Sequence, residues 1–341
     1  MIFKKKFKDY VEKEYFPEMK RILKPSTYST YLWNYRKYLK DWFSNVNIQD
    51  INSPMVQEFY EYLTIKKTAK GKYLSKASIK RGALCLLKTI LNTAISDGKI
   101  KGIVIKLKHP ASLNNRVEDK KEKFMNEKDY KKITEILKEP DTSFLYRKAK
   151  IFCILALYQG LRIGEVCGLK WEDIDFKNKT ITINRTVMRI LDDKGVSKLS
   201  IGTPKSKTSA RTIPMLDFTA EKLAEYKKYR IKTIKASKAK GTFFDMNNYY
   251  ILGGISPTEP RTLRAAYERF LKKYEIDYIN PHALRHTFCT NAIDNDCPIN
   301  AVSQILGHSN TAITMNVYNH LTQNQINKTT AILNKKIEHF F

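Results

Sequence analysis

The sequence predicts a mainly α, two-domain protein: a helical bundle over residues 1–105, a linker at 106–123, and an α+β domain over 124–341 with a small antiparallel sheet of about three strands. Three observations predict it. Apolar residues recur at three- and four-residue spacing through four successive N-terminal segments. The stretch KLKHPASLNNRVEDKKEK (106–123) has no apolar periodicity, one proline and a dense charge run. Strand-like alternation is confined to one region, 171–215.

In chain order, Phe7, Tyr10, Val11, Tyr15 and Phe16 fall near helical spacing, with Pro17 a point at which that segment kinks or splits. After Pro25, the serine and threonine of KPSTYSTY offer N-caps for a helix bearing Tyr31, Tyr35, Tyr38, Leu39 and Trp42. Asn52, Ser53 and Pro54 open a third helix with Val56, Phe59, Tyr60 and Leu63 on one face. A fourth begins after Ser75, carries Ile79, Ala83, Leu86, Leu87, Ile90, Leu91 and Ala94, and stops at Asp97–Gly98. Four such helices with short connections read as a bundle. Beyond the linker, Asn126 caps a helix and LYRKAKIFCILALY (145–158) is apolar almost all round, as a buried helix is. In 171–215, TITIN alternates, DDKG signals a turn and RTIPM closes the region. Helical patterns resume at 217–240, 260–274 and through the C-terminal third.

Charge bounds the partners. The chain holds 62 Lys and Arg against 34 Asp and Glu, a net +28, and such an excess favours a polyanion. The first 110 residues carry 23 basic and 9 acidic side chains, half of the net charge in a third of the chain. Lys76, Lys80 and Arg81 lie on or beside one polar helix face, near Lys66, Lys67, Lys70 and Lys72. Any one of these lysines is explained by solvation; together they point to phosphate contacts, with Tyr28 a further candidate DNA contact. Five cysteines without a CxxC pair give neither a disulfide framework nor a zinc knuckle. The opening MIFKKKFKDYVEKEY lacks an apolar signal core and no run of about 18 apolar residues occurs, so the expectation is a cytoplasmic protein without a membrane partner.

The segment PHALRHTFCTNAIDNDCPINAVSQILGHSNTAITMNVYNH (281–320) concentrates the chemistry. His282 and Arg285, three apart on a helix, address one ligand from one face, and His286 adds a donor one turn on. A zinc reading of His282 and His286 lacks the glutamate of HExxH and a third ligand. Gly307 ends a helix and presents His308 at the bend, and Tyr318 follows ten residues later. Upstream, YQGLRIGEVCGLKWEDID places Arg162 between a buried helix and a short one that begins at Gly164 and Glu165. An ordinary salt bridge of Arg162 to Glu165 or Asp173 competes with a ligand role. In TPKSKTSARTIP, Lys205 and Lys207 sit on a strand or hairpin tip; Lys205 is preferred and Lys207 is the alternative. Guanidinium groups bind two non-bridging phosphate oxygens at once, a phenol of pKa about 10 needs surrounding positive charge to attack, and a leaving alkoxide needs a proton that lysine can give. The set therefore fits displacement at a phosphodiester.

GLRIGEVCGLKWEDID, TPKSKTSARTIP, PHALRHTFCT and LGHSNTAITMNVYNH, in that order, resemble the tyrosine recombinases, particularly the integrases of phages and conjugative transposons. The likeness covers about residues 120–325, and the N-terminal bundle is similar to the family's SAM-like core-binding domain. The resemblance implies that Arg162 and Arg285 clamp phosphate, His282 and His308 support it as donors and acid/base groups, Lys205 is the general acid and Tyr318 the nucleophile. Glu165, His286 and Lys207 would be supporting residues. It also implies a 3′-phosphotyrosyl link and a freed 5′ hydroxyl, with no cofactor, ATP or metal. The partners it implies are double-stranded DNA attachment sites and a homotetramer held by the tail after Tyr318, with room for a directionality factor. Many such integrases carry an arm-binding domain before the bundle, whereas 1–341 opens almost directly on the bundle. Integration or excision of a mobile element is the expected function. Two competitors share part of this pattern: a type IB topoisomerase, which rejoins the same strand, and a catalytically idle DNA-binding regulator.

Overall fold

The computed structural model describes residues 4–69, 71–102, 105–110, 113, 124–140, 146–204, 209–237, 245–308 and 310–318. The chain divides into two compact units, Met1–Lys120 with Arg189–Leu199, and Lys121–Met188 with Ser200–Phe341.

The first unit is helical: α1 (Phe7–Tyr10), α2 (Phe16–Ile22), α3 (Pro25–Asn34), α4 (Lys40–Phe43), α5 (Ser53–Ile65) and α6 (Cys85–Ser96). Asn52 caps α5 by accepting from Met55 N at 3.1 Å, and Pro54 occupies its first turn, where no N–H is needed. Pro17 takes the same place in α2, directly after a π-helical turn at Val11–Tyr15, so the segment is split there. Further π-helical stretches, Tyr35–Leu39 and Ser78–Leu84, pack against each other. A wide turn re-phases the apolar stripe, and Tyr35, Tyr38 and Leu39 are all buried as a result. Phe7, Phe43 and Phe59 join ring to ring at the centre, Phe43 and Phe59 edge-on at 5.1 Å. Each such fully buried ring contributes about 1.5–3 kcal/mol. The start of the expected linker is laid along α5: Lys106 N donates to Ser53 Oγ at 3.0 Å, Lys108 N donates to Gln57 Oε1 at 3.0 Å, and Leu113 is fully buried in this unit's core. Residues 111, 112 and 114–123 lie outside the described residues.

The second unit begins with α7 (Glu127–Lys138), whose Asn126 cap accepts from Asp129 N at 2.7 Å. Its central element is α8 (Arg147–Tyr158), buried from Ala149 to Leu157. Packed around α8 are the short α9 (Ile163–Gly168), α10 (Asp217–Ser237), α11 (Pro260–Lys273) and α12 (Pro281–Asp294). Helices α13 (Ile299–Leu306) and α14 (Thr311–Tyr318) complete it. The antiparallel sheet has three strands, β1 (Ile174–Asp175), β2 (Thr180–Ile183) and β5 (Arg211–Pro214), in the order β1-β2-β5. Ile181 faces Ile213 in register and both are buried, while Thr182 and Thr212 share a hydroxyl contact at 3.1 Å on the other face.

Strands β3 (Thr186–Leu191) and β4 (Ser197–Gly202) form a separate two-stranded hairpin. The DDKG signal closes it, with Gly195 at φ 83° and its N–H donating to Asp192 O at 2.8 Å. Alternation alone marks strands without saying which ladder they join, so sequence expects one sheet in 171–215 where the fold has a sheet and a hairpin. The hairpin's tip, Arg189–Leu199, groups with the first unit. Among the described residues no helix is long and apolar enough to cross a membrane.

Candidate active site

The site grows from the ends of α8, α9, α12 and α13. Gly160, just beyond α8, adopts φ 66°, and a Cβ there would lie 2.6 Å from Leu306 Cδ2 and 2.7 Å from Phe288 Cδ1. Only glycine provides both that conformation and that clearance. The turn delivers Arg162 as the N-cap of α9, where its N–H donates to Glu165 Oε2 at 3.0 Å and its guanidinium to Glu165 Oε1 at 2.8 Å. Of the two partners expected for Arg162, Glu165 is the one found; Asp173 instead accepts from Arg185 at 2.7 Å.

Arg285 projects from α12 into the interior and is 1% exposed. Its Nη1 donates to Gly160 O at 2.8 Å and its Nη2 to Leu306 O at 2.5 Å, which joins α12 to the ends of α8 and α13. Glu165 Oε2 is 3.8 Å from Arg285 Nη1, within ion-pair range but too far for a hydrogen bond. Arg162 is different: about a third of its side chain, 35%, remains exposed. One guanidinium is thus fixed and buried beside another that faces outward.

A third arginine completes the cluster, and sequence reasoning missed it. Arg211, the first residue of β5, donates to Glu165 Oε1 at 3.3 Å and Oε2 at 3.2 Å. It also donates to Ile305 O at 2.5 Å and Ser209 O at 3.0 Å. Burial pushes the Glu165 carboxyl upward, but Arg211, then Arg162 and Arg285, outweigh it and hold the pKa below the ordinary carboxylate value. Glu165 is therefore ionised at neutral pH, one anion among three guanidinium groups.

The histidines flank this cluster. Gly307 caps α13 in the left-handed region at φ 65° and turns the chain so that His308 is half-buried, its Nδ1 2.8 Å from Thr314 Oγ1 on α14. His282, capped through Asn280 at the start of α12, meets His286 with ring centroids 4.6 Å apart. Solvent reaches His282, yet the protein crowded around both rings, and then the neighbouring cations, lower the pKa of His282 and of His308 from 6.5 to about 4. Both imidazoles are neutral at pH 7, each with one donor and one acceptor nitrogen. Among the described residues no three His, Cys, Asp or Glu side chains converge as a metal site, so the His282–His286 pair finds no third ligand there.

The two lowered pKa values carry a prediction. Between about 6.5 and about 4 the unfolded chain binds protons on these histidines that the folded chain does not, so stability falls as pH drops through that window. Thermal unfolding at pH 7, 5.5 and 4.5 measures it. The slope is expected to flatten in a His282→Gln, His308→Gln double variant; an identical slope in that variant would assign the acid sensitivity elsewhere.

Tyr318 is the last residue of α14, a helix that packs on α12 and α13. Its side chain lies outside the described part, as do Lys205, Lys207 and the tail after 318. Among the described side chains of α14, Thr314 is fully buried and Met315 is 49% exposed. In the first unit Lys80 and Arg81 are exposed, and Lys76 is partly so. Lys80 Nζ lies 3.3 Å from His109 Nε2. Tyr28 is nearly buried and donates to Asp193 Oδ1 at 2.7 Å.

A helical unit joined to an α+β unit in which paired arginines and neutral histidines converge defines a tyrosine-type, site-specific DNA recombinase. The chain belongs to the phage integrase family: that family's profile matches residues 123–325, and the phage integrase SAM-like domain matches 4–106. A XerC-like tyrosine recombinase of Caldanaerobacter subterraneus subsp. tengcongensis is 31% identical over 330 residues, spanning 93% of this chain and 79% of the relative. The transposase of transposon Tn916 from Enterococcus faecalis is 31% identical over 179 residues, which are 50% of this chain and 41% of that protein. Among solved structures, the Tn1549 transposon integrase in complex with a circular intermediate DNA shares the fold, with a TM-score of 0.68 at 24% identity over 95% of this chain and 99% of that one.

Proposed function

We propose that this recombinase cleaves double-stranded DNA at the attachment sites of a mobile element through a covalent link to Tyr318, and rejoins it to integrate or excise that element. The observation that carries the reading is the arginine pair: Arg285 locked by two carbonyls and, beside it, the partly exposed Arg162 held by Glu165. In displacement at phosphorus, negative charge grows on the non-bridging oxygens, and guanidinium donors already in position stabilise it without rearranging.

The Tyr318 oxygen attacks phosphorus while the bond to the 5′ oxygen breaks. The phenol proton passes to a neutral imidazole, for which His308 is suited by its unprotonated state, and Lys205 protonates the departing 5′ oxygen. His282 donates to a non-bridging oxygen, with His286 packed against its ring. The freed 5′ hydroxyl of a partner duplex then attacks the phosphotyrosine and releases Tyr318, so the bond energy is retained in the link. The exposed Lys80 and Arg81, with Lys76, contact DNA phosphates in this reading. A homotetramer in the synapse and an accessory directionality factor belong to the same proposal.

The test uses a duplex spanning the end of the element that carries the gene, nicked so that the cleaved fragment diffuses away. A covalent protein–DNA adduct is expected in EDTA, and its absence on every junction of that element would sink the proposal. For the lysine, Lys205→Ala is expected to slow adduct formation by about 10²-fold. A 5′-bridging phosphorothiolate, whose sulfur leaves without a proton, should restore the rate. Rescue of Lys207→Ala in place of Lys205→Ala would move the role to Lys207.

A further inference from the structure

Glu165 poses a problem that the proposed mechanism leaves open. A buried carboxylate takes whatever cations lie near it, because an unpaired charge in the interior costs several kcal/mol. The nearest cations include the two arginines meant for phosphate. Arg162 is already engaged by both its main-chain and its side-chain donors. Arg285 Nη1 lies only 3.8 Å from Glu165 Oε2, a short side-chain movement away from a direct hydrogen bond. Yet it donates to Gly160 O instead.

We infer that Arg211 is a positioning residue of this site: by filling both oxygens of Glu165 it keeps Arg285 off the carboxylate and free to face phosphate. Its own placement fits that task. The Arg211 side chain is 7% exposed. Four donor contacts fix it, two to Glu165 and one each to Ile305 O and Ser209 O. Ile305 is three residues before His308, and Ser209 two residues after Lys207, so one guanidinium ties the carboxylate to the segments that carry both. With Arg211 present, three cations share one anion and the pocket keeps a surplus of positive charge. Without it, Arg162 and Arg285 are both drawn to Glu165.

This inference rests on the reaction proposed above, and two measurements separate their failures. The first is adduct formation on the nicked duplex by the full chain. Arg211→Met is expected to lower the rate by about 10²-fold, as small displacements of a phosphate-binding group do. Adding Glu165→Gln, which removes the pull on Arg285, should return about 10-fold of that loss, although Glu165→Gln alone slows the wild-type protein. Arg211→Lys keeps a cation but loses the fork, and should fall between wild type and Arg211→Met. A merely structural arginine would give no such recovery.

The second measurement is thermal unfolding of the same set. Glu165→Gln should lower Tm by clearly less in the Arg211→Met background, where the carboxylate has lost one of its partners, than in the wild-type background. Wild-type rates in Arg211→Met, or a double variant no faster than Arg211→Met, would overturn the assignment. If Arg211→Met does not fold, Arg211→Lys with and without Glu165→Gln decides by the same comparison, a gain of about 3-fold in the pair being expected. A wild-type protein that forms no adduct counts against the recombination chemistry, and the unequal Tm shifts then decide the pairing by themselves.

Discussion

Tyr318→Phe is expected to leave the nicked duplex free of covalent protein while binding it as tightly as the wild type does. The substitution removes one oxygen at the last residue of α14 and leaves that helix's fully buried Thr314 in place. Loss of a nucleophile removes the path itself, so the rate should fall by about 10⁴-fold or more. Gel mobility under native and denaturing conditions separates the two quantities. Twenty tyrosines stand in this chain, and burial pushes several of their phenols upward, the partly buried Tyr158 to about 12. An adduct that survives in Tyr318→Phe would therefore send the search to another phenol, and the mapped peptide would name it.

Arg285→Lys is expected to cost about 10²–10³-fold in cleavage with little change in DNA affinity. The reasoning is a count of donors. A guanidinium has five N–H groups, and Arg285 commits two of them to Gly160 O and Leu306 O. Three remain. An ammonium has three in all and would keep one after satisfying the same carbonyls, without the planar fork that matches two phosphate oxygens. Affinity changes little because many surface cations share the DNA charge. Cleavage within a few-fold of wild type, in a variant whose circular dichroism is unchanged, would remove Arg285 from the clamp.

Much of this site could be read from residues close in sequence. The junction that seats Arg162 is signalled by Gly160, by Gly164 and by the Glu165 three residues beyond it. His282 and Arg285 share one helix, and Gly307 announces the bend at His308. The caps at Asn52 and Asn126 were legible for the same reason: a cap is a contact across three residues. Arg211 was not. In ARTIP it reads as a solvent-facing strand residue, and its partner Glu165 is 46 positions away. Nothing local distinguishes an arginine that points outward from one that reaches back across the sheet. A buried glutamate with one arginine beside it in sequence was the only hint that more positive charge must arrive from elsewhere. That β3 and β4 pair apart from the three-stranded sheet escaped likewise, since pairing partners are not written in alternation.

Arg285 also has an electrostatic setting that no acidic side chain provides. Of its two acceptors, Leu306 O is at the C-terminal end of α13, where aligned peptide dipoles concentrate partial negative charge, and Gly160 O lies in the turn just beyond α8. The main chain of α13 and of the turn after α8 therefore holds this cation before any phosphate arrives. Evolution can alter the surface that reads DNA, the hairpin and even the carboxylate partner, while the seat for the buried guanidinium persists for as long as α8 and α13 end where they do.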